Sequence, residues 1–283
     1  MNKIVLVVIA SISSLTLFAK ENVGTSGSDY QTSLARVAAD CTPSQAMTDL
    51  NINNVRTTIM GGGDMWWNLS DARYEIPKNS NKHSMFAGAL WIAGIDAGEQ
   101  LKAAAMTYRQ SGNDFWTGPL DENGDISAET CENYDKHFSI TRQEVDEFIA
   151  WFNDNSAYPD YTIPNSITNW PGNGIDGDYQ FLAPYYDAND DGEYNPNDGD
   201  YPKYDIDGDL DCNDDDLIYG DQTLYWVFND KGNIHSETSA DPIGLEIRAQ
   251  AFAFATNDEI NNMTFYNYKI INKATIQLND TYF

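Results

Sequence analysis

The clearest period along the chain is two. Between 245 and 256, Leu245, Ile247, Ala249, Ala251, Ala253 and Ala255 alternate with Glu246, Arg248, Gln250, Phe252 and Phe254, so the two sets leave opposite faces of an extended strand. The second face mixes aromatic rings with charges, which predicts a strand covered on both sides, as in a sandwich. Shorter apolar or alternating runs, punctuated by Gly, Asn, Asp and Pro, predict further strands over 55–60, 85–95, 101–109, 224–228, 263–272 and 275–283. The last two read as neighbours joined by a turn at Asn272-Lys273-Ala274. The second of them is still apolar at Tyr282 and Phe283, an unguarded aromatic edge that suggests the N-terminal piece of a longer protein.

A period of 3.6 appears once with force. Val145, Phe148, Ile149 and Phe152 fall at i, i+3, i+4 and i+7, and Thr141 with Glu144 forms a capping box ahead of them. A helix near 142–152 should therefore lay an apolar stripe on a sheet, and a shorter helix is expected after Ser127. The predicted fold is mainly β: an antiparallel sandwich-like domain or domains, one or two short helices, and an inserted acidic calcium-loop segment. The expected organisation is a signal peptide over 1–19, a flexible Gly/Ser-rich lead-in over 20–50, a β-rich region over 51–186, acidic loops over 187–221 and a further β region over 222–283.

The leader changes the setting. Lys3 precedes an apolar stretch over 4–18, and Leu17-Phe18-Ala19 offers a small-residue cleavage site, the pattern of secretory export. The stretch carries Ser11, Ser13, Ser14 and Thr16 and is short for a bilayer span; no later run reaches such a length. Sixteen basic against 44 acidic residues leave a net charge of −28. Nucleic acid and anionic membrane surfaces are poor partners for such a chain. The self-repulsion is one that extracellular divalent cations would relieve.

Much of that charge lies in one place. Residues 187–216 hold thirteen Asp or Glu against one Lys, with acids at alternate positions. Asp187, Asn189 and Asp191 form an alternating set of oxygen donors, and Gly192 follows where a ligand loop must turn sharply. Glu193 would offer its carbonyl, Asn195 the ninth-position contact and Asp198 the closing carboxylate; calcium takes about six to eight oxygens in such loops. Asp205, Asp207, Asp209, Asn213 and Asp216 repeat the spacing, with Leu210 where glycine is expected. A solvated acidic linker is the alternative reading of both stretches. The first loop resembles the calcium loops of dockerins, and the second the Asp ladders of thrombospondin type 3 repeats.

Other chemistry is sparse. Cys41, Cys131 and Cys212 permit one intramolecular disulfide at most, with no pairing indicated by spacing. His83, His137 and His235 stand far apart, and no HExxH, GxSxG, phosphate-loop or dinucleotide motif occurs. Gly61-Gly62-Gly63-Asp64 lacks a following Lys and reads as a turn between strands. Trp66, Trp67, Trp116, Trp170, Tyr185 and Tyr186, near Gly, Pro and Asp turns, are either sugar-stacking platforms or ordinary core aromatics.

The segments NNVRTTIMGGGDMWWNLSDARYEIPK, FAGALWIAGIDAGEQLKAAAMTYRQSGNDFWTGPLDENG, DGEYNPNDGDYP and WVFNDKGNIHSETSADPIGLEIRAQAFAFATNDEINNMTFYNY together resemble the N-terminal region of large secreted surface proteins of Bacteroidota. The likeness runs over roughly residues 50–283. It implies a cell-surface location reached by the type IX pathway, with a C-terminal sorting domain, and it implies no reaction; the 205–216 stretch is an addition to the family pattern. The expected function is a secreted, calcium-stabilised structural or adhesive segment without catalysis, its partners calcium and an extracellular glycan or another surface protein. The alternative is a calcium-dependent carbohydrate-binding module or a non-catalytic part of a glycan-processing protein.

Overall fold

A computed structural model describes residues 39–109, 111–204 and 217–283. The expected signal peptide, residues 20–38 of the lead-in, Cys212 and the second ladder (Asp205, Asp207, Asp209, Asn213 and Asp216) lie outside the described residues. The chain is mainly β. Its strands are β1 (Met47–Leu50), β2 (Arg56–Met60), β3 (Asp64–Met65), β4 (Tyr74–Glu75), β5 (His83–Met85), β6 (Gly88–Ala89), β7 (Trp91–Asp96), β8 (Leu101–Ala105) and β9 (Trp116–Thr117). They continue with β10 (Phe138–Thr141), β11 (Tyr185–Tyr186), β12 (Tyr201–Pro202), β13 (Gln222–Asn229), β14 (Leu245–Ala253), β15 (Phe265–Asn272) and β16 (Leu278–Tyr282). The helices are α1 (Ala128–Asn133), α2 (Arg142–Asn153) and α3 (Asn165–Thr168).

All strand pairs in the four sheets are antiparallel. The central sheet runs β10-β13-β14-β15, with β9 also on β13. Leu224, Trp226 and Phe228 of β13 point one way together with Leu245, Ile247, Ala249, Ala251 and Ala253 of β14. They meet Leu50, Ile59 and Met65 from the β1–β6 sheet and Ile92 and Ala104 from the β16-β7-β8 sheet. This is the expected sandwich. Tyr225 and Val227 point the other way into a second core with Phe138, Ile140, Val145, Phe148, Ile167, Trp170 and Tyr204. Helices and loops thus form a third layer, so β13 is apolar without a break from Leu224 to Phe228 because both of its faces are buried.

The expected helix is present with its capping box: the Thr141 hydroxyl accepts from Glu144 N–H, and the Glu144 side chain takes the Thr141 N–H. Ser127 caps the shorter helix in the same manner. Three sequence-based expectations need correction. Strand pairing starts at Met47, ahead of the expected Asn51. The 85–95 run divides among β5, β6 and β7, which belong to two different sheets. Residues 275–283 do not pair with β15; β15 lies on β14 while β16 crosses to β7. The Asn272 side chain shapes the turn between β15 and β16, accepting from Ala274 N–H and donating to the Ile276 carbonyl.

Two buried features tie distant segments. Cys41 and Cys131 form a disulfide across 90 residues of sequence, packed against Trp116. Both ring nitrogens of His235 lie 2.7 Å from carbonyl oxygens, those of Ala103 and Asp230. The carboxylates of Asp114 and Asp230 flank the ring at 3.8 and 3.9 Å. Among the described residues no helix is long and apolar enough to cross a membrane.

The bridge generates a direct expectation. Replacing Cys41 and Cys131 together by alanine should lower unfolding free energy by about 2–5 kcal/mol, since the closed loop is long and the sulfurs are buried. Urea unfolding of the two chains measures this, and coincident midpoints would mean that the bridge adds no stability.

Candidate calcium loop and the adjoining cleft

The loop leaves β11 and returns through β12, so a short antiparallel pair, Tyr185↔Pro202 and Tyr186↔Tyr201, holds its two ends together. Asp187 sits at the exit of β11. Its Oδ1 accepts from Asp191 N–H at 3.2 Å and its Oδ2 from Gly192 N–H at 2.8 Å. Asn189 Oδ1 also faces Asp191 N–H at 3.1 Å, Asn189 Nδ2 donates to Asp191 Oδ2 at 2.9 Å, and Asp191 Oδ1 accepts from Glu193 N–H at 2.8 Å. These are the Asx turns expected of a residue series that must wrap a chain tightly. Gly192 lies at φ +79°, and an added Cβ would meet only Gln180 Nε2, at an uncrowded 3.5 Å, so glycine is called for by backbone conformation and not by crowding.

The second half is a 3₁₀ turn over Pro196–Asp198. Asn195 caps it through Asn197 N–H and also donates its side-chain amide to Asp198 Oδ2. Gly199 follows at φ +105°, where a Cβ would stand 2.7 Å from the Phe152 ring; the last turn of α2 therefore packs on the loop backbone. Asp187, Asn189 and Asp191 are thus drawn together in one half, and Asn195 with Asp198 in the other. Glu193 is exposed between them.

The residue joining the halves is one the sequence reading missed. Asp200 is fully buried, and its two oxygens accept from Ala188 N–H and Asn195 N–H, each at 2.9 Å. Burial pushes its carboxyl above the usual range; the two amides pull it down, and the negative charges of Asp187 and Asp191 raise it further. The donor set is all oxygen and suits a hard cation, whose charge would relieve that repulsion. Among the described residues, however, no group of three or more His, Cys, Asp or Glu side chains lies close enough to hold a metal ion. The fit therefore lies in the kind of donor and in the turn geometry, with the carboxylates spent on loop amides.

Beside the loop opens a cleft of about 730 Å³ between the residues around β10 and those around α3, with Glu193 and Tyr194 forming part of its wall. Asn173 links the two features: its Nδ2 donates to the Gly192 carbonyl and its Oδ1 accepts from Tyr194 N–H. Most of the suspected sugar platforms are elsewhere occupied. Trp116, Trp170 and Tyr185 are buried, Trp66 donates to Tyr266 Oη inside the sandwich, Trp67 tilts onto Phe86, and Tyr186 stacks on Tyr201. No family model, curated protein or solved structure matches this chain.

The two acids at the end of the loop should separate cleanly. Asp200→Ala removes two charge-assisted bonds to buried amides and should cost about 2–4 kcal/mol, whereas Asp198→Ala, at an exposed site, should stay within about 0.5 kcal/mol. Sign also matters: a carboxyl raised by folding binds its proton more tightly in the native state. Its destabilising contribution is absent below the unfolded value of 3.8 and grows as pH rises through the folded value. Metal-free wild type should accordingly lose stability over that rise relative to Asp200→Ala, as chemical denaturation at a series of pH values would read; parallel profiles would remove Asp200 from the account.

Proposed function

We propose that this chain is a secreted, calcium-stabilised and non-catalytic segment of a cell-surface protein, structural or adhesive in role. The observation that carries the reading is the 187–200 loop, in which Asp187, Asp191 and Asp200 act on one another through their charges while Gly192 turns the backbone between them. The N-terminal leader pattern supports export, and the Cys41–Cys131 disulfide fits an oxidising compartment. Passage by the type IX route and a Bacteroidota surface location belong to the same proposal and rest on the sequence resemblance alone. Asp187, Asn189, Asp191, Asn195 and Asp200 would hold the ion by turning their oxygens from the loop amides toward it, and the ion would supply positive charge and cross-link the halves of the loop. The second reading, a calcium-dependent carbohydrate-binding module or a non-catalytic part of a glycan-processing protein, is favoured by the polar cleft that shares Glu193 and Tyr194 with the loop.

Calcium at ten times its dissociation constant stabilises a one-site protein by about 1.4 kcal/mol, which for a chain of this size raises Tm by about 3–5 °C. Melts in millimolar calcium and in chelator should differ by that amount, magnesium should give less because it demands a stricter octahedral shell, and Asp191→Ala should erase the difference. Identical melts would reduce the acidic run to a solvated linker.

A further inference from the structure

We infer that the cleft between β10 and α3 is a binding site for an uncharged oligosaccharide, an assignment that rests on the adhesive half of the proposed function and names its ligand class. Among the described residues that line the cleft, one Lys, Lys136, balances one acid, Glu193, in a chain of net charge −28. The histidine at its rim adds no charge near neutral pH, since burial holds His137 down to about 4. With no excess charge of either sign on that lining, hydrogen bonds and ring contact are left to recognise a ligand.

The wall supplies both. Asn165 and Asn169 stand one helical turn apart at either end of α3, both exposed to the cleft, and no side-chain hydrogen bond within the described residues engages either amide. The Ser139 hydroxyl on the facing strand is equally unengaged. An asparagine amide presents one acceptor and a two-proton donor side by side, which complements adjacent sugar hydroxyls that each donate and accept. Half-buried Tyr194 lines the same hollow, and its apolar surface suits the C–H face of a pyranose ring, while Phe138 and Trp170 back the wall from the core. By contrast Ser166, Asn173 and the Tyr194 hydroxyl are already bonded, to Glu144, to the loop backbone and to the Ile167 carbonyl. They hold the wall in shape and leave recognition to the unengaged groups. The volume, about 730 Å³, lies in the range of small-molecule sites, roughly 300–1,000 Å³.

Isothermal titration in excess calcium tests this with tetrasaccharides of gluco, xylo, manno and galacto configuration and one uronic-acid tetramer, against the full chain and the Asn165→Ala/Asn169→Ala double variant. Both asparagines are exposed, so the variant should fold with an unchanged melt. The expected result is binding of at least one neutral member, weakened tenfold or more in the double variant. Failure of every neutral member to bind, undiminished binding by the double variant, or tighter binding of the uronic-acid tetramer that disappears in Lys136→Gln would each overturn the assignment. Melts with and without calcium judge the loop separately: a chain that binds saccharide yet ignores calcium keeps the cleft and loses the loop, and the reverse outcome loses the cleft alone.

Discussion

Burial of one strand on both faces organises this protein. The Gln222–Asn229 strand sends Leu224, Trp226 and Phe228 into the sandwich core and Tyr225 and Val227 into the helix-side core. Each core therefore depends on the other through a single backbone. Burying a large aromatic or aliphatic side chain contributes about 1.5–3 kcal/mol, and five such side chains on adjacent positions make this strand the place where disruption would reach both layers. Its ladder partners are drawn from residues 116–117, 138–141 and 245–253. Segments that looked like successive regions of the sequence accordingly share one sheet.

The candidate loop hangs from the helix-side core. Phe152 at the end of α2 packs on Gly199, the Tyr185 and Tyr201 rings belong to or border the same cluster, and Tyr194 donates to the Ile167 carbonyl. The loop is thus clamped at its base and along one side, while Asn189, Asp191, Glu193 and Asp198 remain exposed. The turns at Asp187 and Asn195 are set by their own side chains, so the backbone of the loop is fixed by contacts within the chain.

What could be read from the sequence follows the range of the forces involved. The alternation in 245–253, the capping box at Thr141 and the donor spacing from Asp187 to Asn195 are local signals, and the structure places those residues in a strand, a helix start and a run of Asx turns. The partner of the last strand was misjudged because turn chemistry specifies a bend and not the edge that the chain meets afterward. Residues 85–95 looked continuous because apolar content does not record that Gly88 must admit the Trp66 ring, 2.8 Å from where its Cβ would be. Asn165–Thr168 is too short to show a helical period. Asp200 escaped notice for another reason: an acid in an acidic run differs from its neighbours only by being buried, and burial is a property of the fold.

A scarcity of basic residues shapes how the buried acids are held. With 44 acids and 16 basic residues, side-chain cations reach Asp64, Glu75 and Glu246 among the buried carboxylates, and the others draw on backbone amides. Asp230 accepts from Ile243, Gly244 and Leu245 N–H and has His235 beside it. Asp114 accepts from Ala105, Glu237 and Thr238 N–H and from the Thr238 hydroxyl, with the same histidine on its other side. Glu246 has Leu120 N–H, Arg248 and Lys273. Asp200 has only two amides, and the charges that press on it are those of Asp187 and Asp191. It is the least compensated of these four acids, and it lies at the end of the loop for which calcium binding is proposed.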